Sequence, residues 1–575
     1  MSRLRTRRVL RMIIAIGVLS IHAIATSGRF AGAAPSPWVA YVLTSGGDGG
    51  SAFPISTGTN VAGNPISSPG HTLPQAIAIT PDGATAYVTD HYEAEQAIRT
   101  LDNSPVSISA GIAPTGIAVT PDGATAWVVD SYNSELIPIS TATNQGGTPI
   151  PVPGGPSQLA ITPDGATAYV VSGRQVTHVS LTSGQAGTPV TVFPPADASA
   201  VGIVTTPNAS TLYYASNTTA TSGFVAATTP GTTPVVTKTI GPFGRLGGIA
   251  MSPDGQTLWV TEQGSNQLVP IDVATNTPGK PFGLNTIPNA VAITPDGDTA
   301  YVSTDRCWVL VIDLTTGKQL AQVNRPQGAS GCTSGVAVTP DQAPTAAFSV
   351  TPGPAGAPTN FDGSASSSPY RTVATYRWMF GDGATATTTG PTTSHVYAAA
   401  GLYTATLTVT NTTGTSTTKV FTGQTMSRNG GPTATRSLAV PIVGSGQPPP
   451  TTGGTTPSGG TTPPGGTPPL GGSPGSPALT VSPGVGPTGQ VVTVVGTNFP
   501  ANTSVVVRWN PGVGSVQVDT GPLGEFTTQL EILPHDQVGN RAAVAVGFPT
   551  AIAPMLVEPS ATEPGGSNVA IIYHN

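Results

Sequence analysis

The sequence predicts an all-β protein, and three observations support that prediction. Of the 575 residues, 72 are glycine and 59 are proline, and both residue types interrupt helices. Charged residues make up only 8% of the chain and the formal net charge is -6, which is unlike a coiled coil or a nucleic-acid-binding protein. Short β-branched and aromatic runs also recur around a Pro-Asp-Gly turn along the first 341 residues.

Residues 1–33 have the three-part layout of a secretory signal peptide. Five arginines precede an apolar run from Met12 to Ala25, and small residues follow at positions 31–34. An apolar run of about 14 residues is shorter than the roughly 20 that cross a membrane, which favours a cleaved signal over an anchor. We expect cleavage after Ala33 and a secreted or cell-wall-associated protein, with no transmembrane segment in the mature chain. The export route, Sec or twin-arginine, stays open.

The repeated unit contains a proline followed in most copies by Asp-Gly, and its spacing is 40 to 46 residues. Four short strands fit this length, as in one blade of a β-propeller, whereas helical repeats would lack the alternating β-branched pattern. The seven prolines are Pro81, Pro121, Pro163, Pro207, Pro253, Pro295 and Pro340.

Each unit can be divided into strands around its turn. The first strand is small and apolar, as required near a crowded central axis, and the second strand carries a Tyr or Trp that we expect to lie between neighbouring sheets. A third strand follows, and the fourth is the least regular. Seven second strands run from that of Tyr41 to that of Tyr301, and there are also seven first strands. The two sets are offset, because the mature chain starts at a second strand and the last repeat stops after a first strand, residues 335–339. The offset predicts that residues 335–339 complete the blade begun by residues 38–68 and close a seven-bladed ring over 38–341.

The run Ala-Ile-Thr-Pro-Asp-Gly at 78–83, followed by Ala-Tyr-Val-Thr-Asp at 86–90, resembles the surface-layer type of propeller repeat named for its Tyr-Val-Thr-Asn strand. The resemblance extends over about residues 38–341. It implies the propeller fold but does not by itself imply a function.

The only two cysteines follow from the same geometry. Cys307 comes after the second strand at Tyr301, and Cys332 lies just before the first strand at 335–339. Both positions fall on one face of the ring, in adjoining blades beside the closure. An oxidising compartment then favours a Cys307–Cys332 disulfide over zinc or thiol chemistry.

The loops on that face also carry the candidate ligand-binding residues. They are Asp90, His91, Tyr92, Glu93, Asp130, Tyr132, Glu135, Glu262, Asp305 and Arg306. These side chains could bind a cationic or sugar ligand or, more weakly, Ca²⁺, with tyrosines as stacking surfaces. The alternative is a solvated acidic rim. No Gly-x-Ser-x-Gly or His-Glu-x-x-His pattern is present, so we assign no catalytic residue, no metal site and no required cofactor.

Residues 343–440 resemble a PKD (polycystic-kidney-disease) domain, an immunoglobulin-like sandwich. The resemblance rests on Phe-Asp-Gly-Ser-Ala-Ser at 361–366, on Trp-Met-Phe-Gly-Asp-Gly at 378–383 and on the alternating run at 401–411. It implies a core position for Trp378, a hairpin turn at 381–383 and a long strand near 404–409. Such domains in secreted bacterial proteins serve as spacers or bind proteins and polysaccharides.

The last part of the chain predicts a tether and a second immunoglobulin-like domain. Residues 444–477 form a Gly/Pro-rich linker, with ten Gly and ten Pro among 446–477, and cannot build a core. Residues 478–575, with Val-Val-Gly-Thr-Asn-Phe at 494–499, resemble the IPT/TIG family.

Together these patterns predict an exported, non-catalytic binding or adhesion scaffold whose partner is an extracellular protein or polysaccharide. Two alternatives remain open: a propeller lactonase or streptogramin-lyase-like enzyme, and a structural surface-layer component. The ligand and the oligomeric state are not determined by the sequence.

Overall fold

The computed structural model describes two stretches of the chain. The first is residues 38–444, without 47–49, 67–72, 92–94, 101, 109–110 and 193–198. The second consists of segments 478–482, 485–487, 491–500, 503–510, 515–520, 525–531, 539–545 and 552–558. The predicted signal peptide and residues 445–477 of the predicted linker lie outside the described residues.

The first stretch begins with seven antiparallel sheets, which we number as blades in chain order. Blade 1 starts with β1 (Val39–Ser45), β2 (Ser51–Ser56) and β3 (Val61–Ala62). Blade 2 contains β4 (Pro74–Ile79), β5 (Thr85–Asp90), β6 (Glu95–Arg99) and β7 (Ser104–Ile108). Blade 3 contains β8 (Pro114–Val119), β9 (Thr125–Asp130), β10 (Glu135–Ser140), β11 (Gln145–Gly146) and β12 (Ile150–Pro151). Blade 4 contains β13 (Gln158–Ile161), β14 (Thr167–Ser172), β15 (Gln175–Ser180), β16 (Gln185–Ala186) and β17 (Val190–Thr191).

The remaining blades follow the same plan. Blade 5 contains β18 (Ser199–Thr205), β19 (Leu212–Asn217), β20 (Gly223–Thr229) and β21 (Val235–Phe243). Blade 6 contains β22 (Leu246–Met251), β23 (Thr257–Glu262), β24 (Gln267–Asp272), β25 (Thr277–Pro278) and β26 (Phe282–Gly283). Blade 7 contains β27 (Pro288–Ile293), β28 (Thr299–Thr304), β29 (Trp308–Asp313) and β30 (Gln319–Asn324). The chain then enters β31 (Cys332–Val338).

The ring closes as the repeat offset predicts. Strand β31 pairs antiparallel with β1, with Tyr41 opposite Ala337, so blade 1 has the order β3-β2-β1-β31. The innermost strands β4, β8, β13, β18, β22, β27 and β31 are each next to the following one, and β31 lies next to β4. The fold is therefore a seven-bladed β-propeller whose first and last strands share a blade. In blades 3, 4 and 6 the fourth strand is split into two short pieces, in line with its irregular sequence.

Adjacent blades are linked by the buried aromatic of the second strand. In four blades its tyrosine hydroxyl donates a hydrogen bond of 2.6–2.8 Å to an asparagine side chain in the next blade. The pairs are Tyr41–Asn103, Tyr87–Asn144, Tyr213–Asn276 and Tyr301–Asn60. Each of these asparagines has a φ of 53–56°, a left-handed conformation that Asn tolerates. Where the aromatic is Trp127 or Trp259, glycine takes the equivalent left-handed position, at Gly184 and Gly317.

A two-sheet sandwich follows the propeller, as the PKD resemblance implies. Its strands are β32 (Asp341–Gln342), β33 (Ser349–Thr351), β34 (Pro358–Asp362), β35 (Val373–Met379), β36 (Thr385–Thr388), β37 (Thr392–Val396), β38 (Gly401–Asn411), β39 (Val420–Phe421), β40 (Met426–Asn429) and β41 (Thr435–Ile442), with one 3-10 turn at Pro432–Ala434. The two main sheets have the orders β33-β34-β37 and β36-β35-β38-β41.

The core and the turn of this sandwich match the sequence-based predictions. Trp378 is fully buried and lies 5.4 Å from Phe348 and 5.8 Å from Phe361, measured between ring centroids. Gly381 and Gly383 both have positive φ in the turn between β35 and β36. The predicted strand near 404–409 lies within β38.

The sandwich is docked on the propeller face that carries the Pro-Asp-Gly turns, here called the Pro-Asp-Gly face. Arg371 of the sandwich forms an ion pair of 3.1 Å with Asp296, and its guanidinium lies 4.5 Å from the centre of the Trp38 ring. The buried carboxylate of Asp341 accepts hydrogen bonds from Trp38 on the propeller and from Asn411 on the sandwich. These contacts attach the sandwich to the propeller, so that it is not a separate domain.

Residues 453–575 form a second compact unit. Its described strands are β42 (Ala478–Ser482), β43 (Val485–Pro487), β44 (Val491–Thr497), β45 (Ser504–Asn510), β46 (Ser515–Asp519), β47 (Phe526–Glu531), β48 (Gly539–Ala545) and β49 (Ile552–Glu558). They form the sheets β42-β44-β47 and β43-β49-β48-β45-β46, and buried Phe499 and Phe526 pack together at 5.2 Å. The unit is a small immunoglobulin-like sandwich; its assignment to the IPT/TIG family stays a prediction.

Candidate ligand-binding face

Four of the candidate acids occupy equivalent positions in four different blades. Asp90, Asp130 and Glu262 are the last residues of the second strands β5, β9 and β23, and Asp305 directly follows β28. Because first and second strands are antiparallel, the end of the second strand and the start of the first meet at the same side of the ring. We call this side the loop face; it lies opposite the Pro-Asp-Gly face.

Asp130 is the best-defined of these residues. Its fully buried carboxylate accepts hydrogen bonds from the backbone N–H of Ile112 at 2.8 Å and of Ala113 at 3.2 Å, in the loop that leads into β8. It also accepts from the N–H of Tyr132 at 2.9 Å and from the Asn133 side chain at 2.9 Å. Burial acts to raise the pKa of Asp130, but the hydrogen bonds donated to the carboxylate outweigh it and hold the pKa below its usual range.

The equivalent acids bind their own loops in the same way. Asp90 accepts from the N–H of Leu73 at 3.1 Å, and Glu262 accepts from the N–H of Gly244. Asp305 accepts from the hydroxyl of Thr286 at 2.6 Å and from the N–H of Ile287 at 3.2 Å. Each acid thus ties the end of its second strand to the loop 17–19 residues earlier in the chain. Sequence reasoning missed this structural role, although the recurrence of an acid at the second-strand end could have indicated it.

The side chains on the loop face that are exposed to a partner are not those of the buried acids. Tyr132 is 72% exposed and Ile112 is 56% exposed, and both residues are held by the carboxylate of Asp130. Arg306 is exposed, with its guanidinium 6.0 Å from the centre of the Trp308 ring. Ile112 was not among the sequence candidates, because an exposed isoleucine has no signature in a strand pattern.

The other candidate residues are less informative. His91 is half-buried, and its backbone N–H donates to the carbonyl of Leu73 at 3.2 Å. Glu135 begins β10 opposite Asp130. Tyr92 and Glu93 lie outside the described residues. Within the part of the chain that the structure describes, no group of three or more His, Cys, Asp or Glu side chains could hold a metal ion. Calcium binding stays a prediction.

The predicted disulfide is confirmed. Cys307 and Cys332 are bonded, with their Cα atoms 4.0 Å apart. Cys307 lies between β28 and β29 of blade 7, and Cys332 begins β31, opposite Ser45 of blade 1. The bond therefore links the two blades that meet at the ring closure.

Comparisons with known proteins concern parts of the chain. The PKD domain family matches residues 341–425. No curated protein matches the chain. Among the segments that the structure describes, no helix is long and apolar enough to cross a membrane.

Several solved structures are similar to part of the fold. The Kuenenia stuttgartiensis hydrazine synthase is 18% identical, with 46% of this chain and 89% of that chain covered and a TM-score of 0.41. A functionally unknown protein from Desulfotomaculum acetoxidans DSM 771 is 19% identical, with 52% and 98% covered and a TM-score of 0.45. The dihydro-heme d1 dehydrogenase NirN, in complex with DHE, is 14% identical, with 52% and 74% covered and a TM-score of 0.37.

Proposed function

We propose that this protein is an exported, non-catalytic scaffold that binds an extracellular protein or glycan on the loop face of its propeller. The observation that carries the proposal is the arrangement around Asp130. One buried carboxylate holds the loop of Ile112 and the turn of Tyr132 in place, while both side chains stay exposed. An exposed tyrosine on a fixed backbone loses little conformational entropy on binding and can stack on a sugar ring or pack in a protein pocket.

The location of Ile112 and Tyr132 on the loop face agrees with the rest of the architecture. The sandwich covers part of the Pro-Asp-Gly face, through contacts such as that of Arg371 with Asp296. A partner of the propeller is therefore expected on the opposite, loop face. Three features support export: the signal-like N-terminus, the match of residues 341–425 to the PKD family and the disulfide, which suits an oxidising compartment.

The chemistry of the acids favours binding over catalysis. A general base needs a free lone pair aimed at a substrate and a pKa near the working pH. The oxygens of Asp130 are instead occupied by N–H donors, and its pKa is below the usual range. Asp90, Glu262 and Asp305 are likewise bonded to their loops.

The test is a binding screen with the full-length protein on arrays of glycans and extracellular proteins. For a ligand found in this way, we expect Tyr132→Ala to weaken binding at least about tenfold, as for a hot-spot aromatic. Val61→Ala is the matched control, because Val61 is 62% exposed but lies on the outer strand β3. Equal affinities for the two variants would contradict the proposed face. Silence on both arrays together with lactone hydrolysis would instead favour the enzymatic alternative.

A further inference from the structure

We propose that the hairpin formed by β39 and β40 is a built-in plug of the propeller: it occupies the central channel from the Pro-Asp-Gly face and locks the sandwich to the ring. The hairpin belongs to the long connection between β38 and β41, residues 412–434, which has no role in the two main sheets of the sandwich. The sandwich would then be a fixed closure of the propeller and not a mobile spacer.

The inner strand of each blade directs one backbone N–H donor toward the channel and so toward such a plug. In every blade, the residue before the turn proline donates its N–H to the second strand, as Thr80 does to Thr85 at 2.9 Å and Thr339 to Val39 at 2.9 Å. Backbone N–H groups alternate in direction along a strand. The residue one position earlier therefore directs its N–H away from the blade and into the channel.

Three of these donors bind the tip of the hairpin. The N–H of Val119 donates to the carbonyl of Gln424 at 3.2 Å, that of Ile161 to Gly423 at 2.7 Å and that of Thr205 to Thr422 at 3.0 Å. Val119, Ile161 and Thr205 hold the same position in blades 3, 4 and 5. Consecutive carbonyls of the hairpin thus bind consecutive blades, one residue for each blade.

Packing at the tip is equally specific. Phe421 and Met426 are each 1% exposed and belong to the same apolar cluster as Leu159 and Ile161 on the inner strand of blade 4. Gly423 has a φ of 113°, and a Cβ atom there would lie 2.9 Å from the Cβ of Ala160. A side chain at this position would push the hairpin away from the channel wall.

The base of the hairpin adds polar contacts to two blades. Lys419 donates from Nζ to the carbonyl of Pro121 at 2.8 Å, in the turn that also holds Asp122. Arg428 donates from Nε to the carbonyl of Pro295 at 2.7 Å. Both cations come from the hairpin, whereas the turns that they contact carry carboxylates. The charges of the two surfaces are therefore complementary.

The hairpin rests on one side of the channel. On the other side lies a cavity of about 100 Å³, lined by Met426 of the hairpin and by residues of the inner strands of blades 6, 7 and 1, among them Ile249, Val291 and Val336. The hydrogen bonds and the cavity together predict which inner-strand amides the hairpin protects from hydrogen exchange. It should protect those of blades 3, 4 and 5 and should not protect those of blade 7.

The test is hydrogen exchange of the full-length protein, followed by mass spectrometry of peptides that cover β8, β13 and β18. In Gly423→Leu we expect about one additional fast-exchanging amide in each of these three peptides, at least tenfold faster than in the unaltered protein, and no change in the peptide that covers β27. Gly383→Leu is the matched control: Gly383 also has a positive φ, 96°, but has open space around it. It should leave all four peptides unchanged.

A second variant protects the test against a folding defect of Gly423→Leu. Lys419→Met keeps the aliphatic stem and removes the ammonium group, with its bond to Pro121 and its charge beside Asp122, so we expect a smaller increase in exchange, largest in the β8 peptide. The proposal is overturned if the three peptides exchange equally in the unaltered protein and in both hairpin variants. It is also overturned if β27 responds as strongly as β8, β13 and β18, because that result would indicate general loosening of the ring.

Discussion

The tyrosine–asparagine bond across the ring closure allows a sharp test of how the blades are held together. The hydroxyl of Tyr301 in blade 7 donates to the side-chain oxygen of Asn60 in blade 1 at 2.6 Å, across 241 residues of chain. Tyr301 is 1% exposed, so Tyr301→Phe removes one oxygen atom and keeps the packed ring. The change therefore isolates the hydrogen bond from the burial of the aromatic ring.

The expected loss follows from the surroundings of the two partners. A neutral hydrogen bond contributes a net ~0.5–1.5 kcal/mol, and an unsatisfied buried partner costs more. Asn60 is only half-buried, so water can replace part of the lost bond. We expect a loss of about 1 kcal/mol in the free energy of unfolding, which corresponds to a fall of about 2 °C in Tm for a domain of this size.

The assay is a double-mutant cycle with Tyr301→Phe, Asn60→Gly and the double variant, measured by urea unfolding. Glycine is the appropriate replacement because Asn60 has a φ of 54°, which glycine adopts without strain. The coupling energy should be about 1 kcal/mol. Tyr403→Phe is the control, since its hydroxyl bonds the carbonyl of Ala399 at 2.9 Å on the surface of the sandwich and joins no blades. A coupling energy of zero, within error, would refute the view that this bond stabilises the closure.

Three further predictions concern pH and covalent linkage. Burial raises the pKa of Tyr41, Tyr87 and Tyr213 to about 12, above the value near 10 in the unfolded chain. Their contribution to the free energy of unfolding should therefore be complete below pH ~10 and decline as the pH rises toward 12. In an alkaline titration, the absorbance of tyrosinate should appear together with unfolding. Cys332→Ser should lower stability by about 3 kcal/mol by releasing a loop with a separation of 25 residues, and detection of two free thiols in the exported protein would contradict the disulfide. Asp130→Asn should cost roughly 1–3 kcal/mol at neutral pH, because an amide cannot accept all of the N–H donors. Since the pKa of Asp130 is lowered in the folded protein, its contribution is present above pH ~4 and lost as the pH falls through the folded value, so urea midpoints of Asp130→Asn and the unaltered protein should converge in acid.

The sequence by itself was sufficient for the ring and its closure. A turn of Pro, Asp and Gly is a local structure that needs only neighbouring residues, and strand alternation is visible within six of them. The offset between first and second strands then implied that 335–339 would join residues 38–68, as β31 does with β1. The Cys307–Cys332 bond followed, because it depends only on which ends of two strands share a face.

The candidate site was predicted in position but not in role. The sequence placed Asp130 and its equivalents on the loop face, yet whether a carboxylate is available to a ligand depends on the backbone donors that reach it. Those donors, the N–H groups of Ile112 and Ala113, come from a loop 17–18 residues earlier, and its path has no sequence pattern. Exposure of Tyr132 and Ile112 is likewise a property of the folded loops.

Only the tertiary structure decided what fills the channel. Lys419 meets Pro121 across 298 residues, and the carbonyl of Gly423 meets Ile161 in another blade of the ring. Local propensity cannot encode such contacts, because they exist only after seven blades have closed and directed their inner-strand N–H groups at one axis. The sequence determines each blade and the order of the ring, whereas the closed ring determines which distant segment its centre can accept.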